Sequence, residues 1–125
     1  MTLLIADDSV LFRERIRNLV LKHKNIQILG EPTNGVETMH LINIKLPDMI
    51  ILDIGMPFMN GIQVLEKLKL LNTKTIVCIL TGYHYPQYRQ KCLTLGADYF
   101  FNKYDDFEKI NSALEIELIK HTIVS

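Results

Sequence analysis

Residues 48–61, DMIILDIGMPFMNG, constrain this chain more than any other stretch. Met49, Ile50, Ile51 and Leu52 form an unbroken apolar run that ends on a carboxylate, Asp53, and Gly55, Pro57, Asn60 and Gly61 follow closely. An apolar run of this length between turn residues reads as a strand buried on both faces, as inside a parallel sheet. A charge at the end of such a strand is costly unless it sits at the rim of the sheet among partners. In open α/β sheets that rim, at the strand C-termini, is where ligands bind.

The other segments alternate around this one. Leu3, Leu4, Ile5 and Ala6 form a short strand ending in Asp7-Asp8, and Ser9 is placed to cap a helix. In that helix Phe12, Ile16, Leu19 and Val20 recur at helical spacing, to about residue 24. Residues 26–30 predict a second strand, and Glu31-Pro32-Thr33-Asn34-Gly35 is turn chemistry. Residues 36–45 predict a helix with Met39 and Ile42 inward, followed by Pro47. Ile62, Leu65, Leu68 and Leu71, at three-residue steps, predict a helix over 61–71. Residues 74–80, with the run TIVCIL, predict a fourth strand that stops at Thr81-Gly82. Tyr83-His84-Tyr85-Pro86 opens a fourth helix, which Gly96 ends. Residues 97–101 predict an aromatic-rich fifth strand. Asp105 and Asp106 then start a last helix with Phe107, Ile110, Leu114 and Leu118 on its apolar face.

Strand and helix thus alternate five times, which implies an α/β fold: a (βα)5, doubly wound, five-stranded parallel sheet with right-handed crossovers. The 125 residues suit one domain. Fourteen basic residues balance fourteen acidic ones, which is not the electrostatic footprint of a nucleic-acid binder. Arg13, Arg15 and Arg17 alternate with Glu14 and apolar residues, as on a solvated helix face. MTLLIADDS has no basic n-region, and no run approaches a membrane span. Cys78 and Cys92 make no disulfide framework. A reducing, cytoplasmic setting fits.

A parallel sheet brings all strand C-termini to one edge, carrying Asp7-Asp8, Asp53, Thr81 and Asn102-Lys103. Three converging carboxylates resist joint ionisation, and a hard divalent cation such as Mg²⁺ is the usual remedy. The carbonyl of Gly55, just past Asp53, is a further candidate ligand. With Mg²⁺ and Lys103 the formal charge cancels, and an anion can enter with Lys103 and Thr81 binding its oxygens. A nucleophile, a metal and donors around equatorial oxygens are what phosphoryl transfer needs, and an aspartate nucleophile gives an acyl phosphate. Singly, each piece has a plainer reading: a helix cap with a dipole-favoured acid, a snorkelling lysine, a β-branched strand end. Their occurrence in order at four strand ends favours the shared site.

IADDS, IILDIGMPFMNG, ILTG and GADYFFNK, in this order and spacing, make the chain resemble the receiver domain of two-component response regulators over nearly its whole length. The resemblance implies a flavodoxin-like sheet with strand order 2-1-3-4-5. It implies that Asp53 is phosphorylated by a sensor histidine kinase or a histidine phosphotransfer protein. Asp8 and Asp53 would bind Mg²⁺ directly, Gly55 through its carbonyl and Asp7 mainly through water. Lys103 and Thr81 would bind the phosphoryl group, and Phe100 falls at the family's switch aromatic. Such a domain is no conventional enzyme; it assists its own phosphorylation and dephosphorylation. The segments NGVET and GADYFFNKYDDFEKI are similar to receivers that precede helix-turn-helix output domains. No output domain is expected within residues 1–125, so the chain is either a single-domain regulator or a receiver cut from a longer one.

Four positions depart from the family pattern or tune it. Gly82 follows Thr81 where Ala is common. Tyr104 follows Lys103 where Pro is usual, and a cis bond there would cost about 3 kcal/mol. Gly55 and Tyr83 occupy positions that govern water access to the phosphoryl group. Leu11 and Arg15 are candidates for kinase contact or ordinary surface residues. Tyr88, Cys92, Tyr99 and Phe101 are candidates for an output or dimer face on the fourth helix, fifth strand and fifth helix, core burial being the competing reading, above all for Phe101. The rival functions are a phosphate-independent binding or dimerisation module of the same fold, and a phosphohydrolase. The second lacks the D-x-D motif, since Asp53-Ile54-Gly55 has no second acid. A flavin site is weaker, because the acidic rim repels phosphate.

Overall fold

The computed structural model describes residues 1–71, 74–83 and 85–124. Its elements are β1 (Thr2–Ala6), α1 (Val10–Val20), β2 (Gln27–Gly30), α2 (Gly35–Lys45), β3 (Met49–Leu52), α3 (Gly61–Leu70), β4 (Ile76–Thr81), α4 (Pro86–Thr94), β5 (Tyr99–Asn102) and α5 (Lys109–Val124). All pairings are parallel, in the order β2-β1-β3-β4-β5. The alternating fold and the implied strand order are both present.

The period of two along β3 divides the core. Ile50 and Leu52 face a layer with Leu4, Ile42, Val64, Leu68, Ile79 and Phe100, beneath α2, α3 and α4. Met49 and Ile51 face the opposite layer with Ile5, Phe12, Ile16, Leu80, Ile110 and Leu114, beneath α1 and α5. β3, central and buried on both sides, accepts no polar residue before Asp53. The register Ala6↔Leu52, Leu52↔Ile79 and Thr81↔Asn102 aligns the ends that carry Asp7, Asp53, Thr81 and Lys103.

Several boundaries move for identifiable reasons. α1 is capped by Ser9, whose hydroxyl accepts from Phe12 N–H, but it ends at Val20. Beyond that point Lys22, His23 and Lys24 offer no apolar residue to bury. In α3 the buried set is Gly61, Val64, Leu65 and Leu68, and Leu71 is half exposed. Steps of three fall short of a turn by about 60° each, so a run at that spacing drifts off the core face. The last helix starts at Lys109 and not at Asp105 or Asp106. Asp106 instead turns back, and its carboxylate accepts the Asn102 N–H at 2.9 Å. Pro86 opens α4 and Gly96, at φ +103°, closes its end as expected. His84, in the segment expected to open that helix, lies outside the described residues. Among them no helix is long and apolar enough to cross a membrane.

Cys92 requires a correction. It is fully buried, packed in the layer with Ile79 and Phe100, so it cannot belong to a partner surface. Burial pushes its thiol up to about 11. Tyr88, Tyr99 and Phe101 are partly buried, while Leu11 and Arg15 are exposed.

Candidate functional site

The β3 end sets the position of Asp53. Its N–H donates to Ala6 O at 2.9 Å, continuing the ladder one residue beyond the strand. A Cβ on Gly61 would lie 2.0 Å from the Asp53 carbonyl oxygen, so the loop can fold back here only with glycine. Gly61 N–H donates to Ile54 O at 2.8 Å and closes that loop. Asn60 and Gln63 then form a reciprocal capping box that starts α3.

The Asp53 carboxylate is 5% exposed. Its Oδ2 accepts from Lys103 Nζ at 3.1 Å, and among the described residues its Oδ1 meets Gly55 N–H alone, at 3.4 Å. Lys103 Nζ also lies 2.7 Å from Asp7 Oδ2. That contact is a close ion pair, and among the described residues Asp7 Oδ2 has no other donor. Asp7 Oδ1 accepts the Ser9 N–H at 2.8 Å, and Arg13 Nη1 donates to the Asp7 carbonyl at 2.8 Å. Burial raises the Asp7 carboxyl above the ordinary carboxylate value, and the Asp53 charge adds to it; Lys103 and Ser9 N–H oppose. Burial alone would lower the Lys103 ammonium, but the two aspartates outweigh it and hold the group above its usual value. The ammonium also lies 4.3 Å from the centroid of the Phe12 ring.

Asp7, Asp8 and Asp53 each offer a carboxylate oxygen within 4.8 Å of the others, Asp8 being the exposed member. Three carboxylates against one ammonium leave two formal negative charges, which a divalent cation would cancel. An all-oxygen donor set of three carboxylates with that excess of negative charge suits a hard cation. Of the residues expected at the site, Asp7, Asp8, Asp53 and Lys103 are brought together. Thr81 is fully buried at the end of β4, its hydroxyl oxygen accepting the Tyr83 N–H at 3.1 Å. Phe100 is buried, with Arg89 Nη1 donating to its carbonyl at 3.2 Å.

Several participants escape sequence reasoning. Phe12 reads as an ordinary core residue of α1 but forms the apolar wall under Lys103. Arg13 reads as surface but holds the Asp7 backbone. The Tyr83 ring occupies the space where a Gly55 side chain would stand, since a Cβ there would be 2.4 Å from Tyr83 Cε2. Tyr104 packs beside Gly82 and edge-on to Phe12. No peptide bond among the described residues is cis, so Lys103–Tyr104 is trans. The Arg15 guanidinium lies over the Phe107 ring at 4.3 Å.

The response regulator receiver domain family model matches residues 3–115. The DNA-binding transcriptional activator EvgA of Escherichia coli K12 is 35% identical over 115 residues, covering 92% of this chain and 56% of that protein. The chain thus spans about half the length of the curated relatives it matches. A LuxR-family DNA-binding response regulator from Staphylococcus aureus superposes with a TM-score of 0.85 at 30% identity, covering 91% of this chain and 95% of that one. The CheX-CheY-BeF3-Mg complex from Borrelia burgdorferi contains a chain of the same fold, with a TM-score of 0.86 at 24% identity and coverage of 94% and 89%. On this match over nearly its whole length, the chain belongs to the response regulator receiver domain family of two-component systems.

Proposed function

We propose that Asp53 is the phosphoacceptor of this receiver. The observation that carries the reading is the asymmetry of its carboxylate. Oδ2 is held by Lys103, while among the described residues Oδ1 has a single long contact, to Gly55 N–H, and the carboxylate stands beside the other two acids. In the transfer, a carboxylate oxygen of Asp53 attacks the phosphorus of a phosphohistidine on a sensor histidine kinase or phosphotransfer protein. The P–N bond breaks, its electron pair stays on the imidazole, which takes up a proton, and an acyl phosphate forms. Asp8, Asp53 and the Gly55 carbonyl, with Asp7 through water, would hold Mg²⁺, which when bound neutralises charge on the phosphoryl oxygens.

Lys103 then exchanges a carboxylate for a phosphoryl oxygen. Thr81 gives up its contact with Tyr83 N–H and donates its hydroxyl proton to another. Phe100, on β5, and Arg89, bonded to its carbonyl, carry that movement to α4, β5 and α5. Binding at the phosphoryl group must favour the active conformer by a few kcal/mol for the population to shift. Leu11 and Arg15 flank the site for the kinase contact, and Tyr88 and Tyr99 lie toward the switching face, where a phosphorylation-dependent homodimer would form. Water attack on the acyl phosphate, assisted by the same site, returns the resting carboxylate. The setting is cytoplasmic.

The test is incubation with Mg²⁺ and acetyl phosphate or a beryllofluoride reagent, then phosphotransfer profiling against candidate histidine kinases. Label is expected on wild type and absent from Asp53→Asn. Label retained in that variant would place the acceptor on another aspartate. No Asp53-dependent adduct under any donor would leave the phosphate-independent binding module as the function.

A further inference from the structure

We infer that Phe12 is a positioning residue for Lys103, its ring holding the ammonium in place while the carboxylate beside it reacts. The inference deepens the phosphoacceptor reading and rests on it for the step at phosphorus. Lys103 is the first residue past β5, and its backbone is fixed there: its N–H donates to Thr81 O at 3.0 Å. The ammonium, at the end of a flexible four-carbon stem, is placed by its own contacts. Two of these are carboxylate oxygens, Asp7 Oδ2 at 2.7 Å and Asp53 Oδ2 at 3.1 Å. One of the two belongs to the group that reacts. As Asp53 becomes an acyl phosphate its carboxylate charge is lost, and the ammonium has to move to a phosphoryl oxygen.

The chemistry leaves the third contact unchanged. Lys103 Nζ lies 4.3 Å from the Phe12 ring centroid, and both residues are less than a tenth exposed. A ring quadrupole attracts a cation, more strongly where water is excluded. The ring adds no charge to a corner that already carries an excess of negative charge, and no strong acceptor that would compete for the ammonium. A third carboxylate in its place would do both.

The ring is itself set in position. The turn that supplies Asp7 also supplies Phe12: Ser9 N–H donates to Asp7 Oδ1 at 2.8 Å, and Ser9 Oγ accepts the Phe12 N–H at 3.3 Å, which starts α1. Tyr104 stands edge-on to the ring at 5.9 Å, Phe107 packs at 6.5 Å, and the Arg15 guanidinium lies 5.2 Å from its centroid. Leucine would serve burial alone. The ammonium over the ring is what asks for an aromatic.

The variants are Phe12→Leu, Phe12→Tyr and 3,4,5-trifluorophenylalanine at position 12, which keeps the ring's shape and removes most of its quadrupole. A double-mutant cycle with Lys103→Met, by urea unfolding in EDTA with no phosphoryl donor, measures the pair alone. Phe12→Leu should raise the unfolding constant about tenfold more in the wild-type background than in the Lys103→Met background. If Lys103→Met is too unstable to measure, the trifluoro ring in the wild-type background should show the same loss. The second measurement is the initial rate of labelling of Asp53 from acetyl phosphate with Mg²⁺, per folded molecule. It should fall about tenfold with leucine or the trifluoro ring and stay within about twofold of wild type with tyrosine. A ring that only fills space would cost the same stability in both Lys103 backgrounds and give equal rates with leucine and tyrosine; either result overturns the inference. A wild type that takes no label while the cycle shows coupling would overturn the phosphoacceptor reading, and with it the step at phosphorus, and leave the ring's hold on the resting ammonium established.

Discussion

Lys103→Met tests the central claim that one ammonium holds the acidic corner together. The wild-type Nζ sits 2.7 Å from Asp7 and 3.1 Å from Asp53, with all three side chains less than a tenth exposed. Met keeps much of the volume and the contact with Phe12 but removes the charge. Each lost pair is worth about 4 kcal/mol at an effective dielectric of 20 and 4 Å. The carboxylates, already desolvated, are then left to repel each other. Part of the cost is relieved by protonating Asp7, whose carboxyl is already raised by burial. The net expectation is the loss typical of stripping one partner from a buried ion pair, about 3–5 kcal/mol.

The assay is urea unfolding in EDTA at neutral pH. With an m-value of roughly 2 kcal/mol/M, the midpoint should fall by about 2 M at unchanged m. Added Mg²⁺ should then restore more stability to the variant than to wild type, because the ammonium no longer competes for the carboxylates. At a hundredfold excess over its dissociation constant the metal returns about 2.7 kcal/mol. A variant within about 1 kcal/mol of wild type in EDTA would refute the reasoning. An equal Mg²⁺ response in the two proteins would refute the claim that cation and ammonium share the same oxygens.

Three further outcomes are expected. Asp48 Oδ2 accepts from Thr2 N–H at 2.8 Å and the Thr2 hydroxyl at 3.0 Å; burial pushes this carboxyl up, but those hydrogen bonds outweigh it and hold it below the usual range. A lowered folded-state value stabilises above the unfolded value and is lost as pH falls through the folded one. Asp48→Asn should therefore cost about 1 kcal/mol at pH 7 in chemical denaturation, with the gap from wild type closing in acid. Gly61→Ala drives a Cβ into the Asp53 carbonyl and should cost more than about 3 kcal/mol, while Gly82→Ala, 3.3 Å from an exposed Tyr104 ring, should cost under about 1 kcal/mol by the same assay. Tyr83→Ala should shorten the acyl-phosphate lifetime severalfold, and Gly55→Ala, by expelling that ring, should do the same; in the double variant the second change should add nothing to the decay rate measured after donor removal.

The alternation of strands and helices was legible because burial on both faces leaves a strand no freedom of pattern. Met49–Leu52 could be little else, and a parallel sheet then had to bring Asp7, Asp53, Thr81 and Lys103 to one edge. Helix ends were less legible because they depend on where burial runs out. Leu71 has the composition of a core residue and the angle of a surface one. Cys92 is a case of the reverse kind. On a helix with few apolar residues it reads as surface, yet it is the residue α4 buries in the layer with Ile79 and Phe100.

The positions that fit least well at the sequence level, Gly55, Gly82, Tyr83 and Tyr104, become intelligible only as pairs across loops. Gly55, after β3, leaves the volume that the Tyr83 ring, after β4, fills. Gly82 stands where the Tyr104 ring, after β5, comes to rest, and that ring is held in turn by its edge contact with Phe12. Taken singly, a glycine beside the acidic site suggests a loosened loop. In pairs, each glycine makes room for an aromatic from another strand end, and that loop is braced by a ring in place of its own side chain. The Tyr104 bracing reaches Lys103 through Phe12, so the Gly82–Tyr104 pair is coupled to the charge network it borders. No pattern of period two or 3.6 carries this information, because the partners are joined only by the register of the sheet.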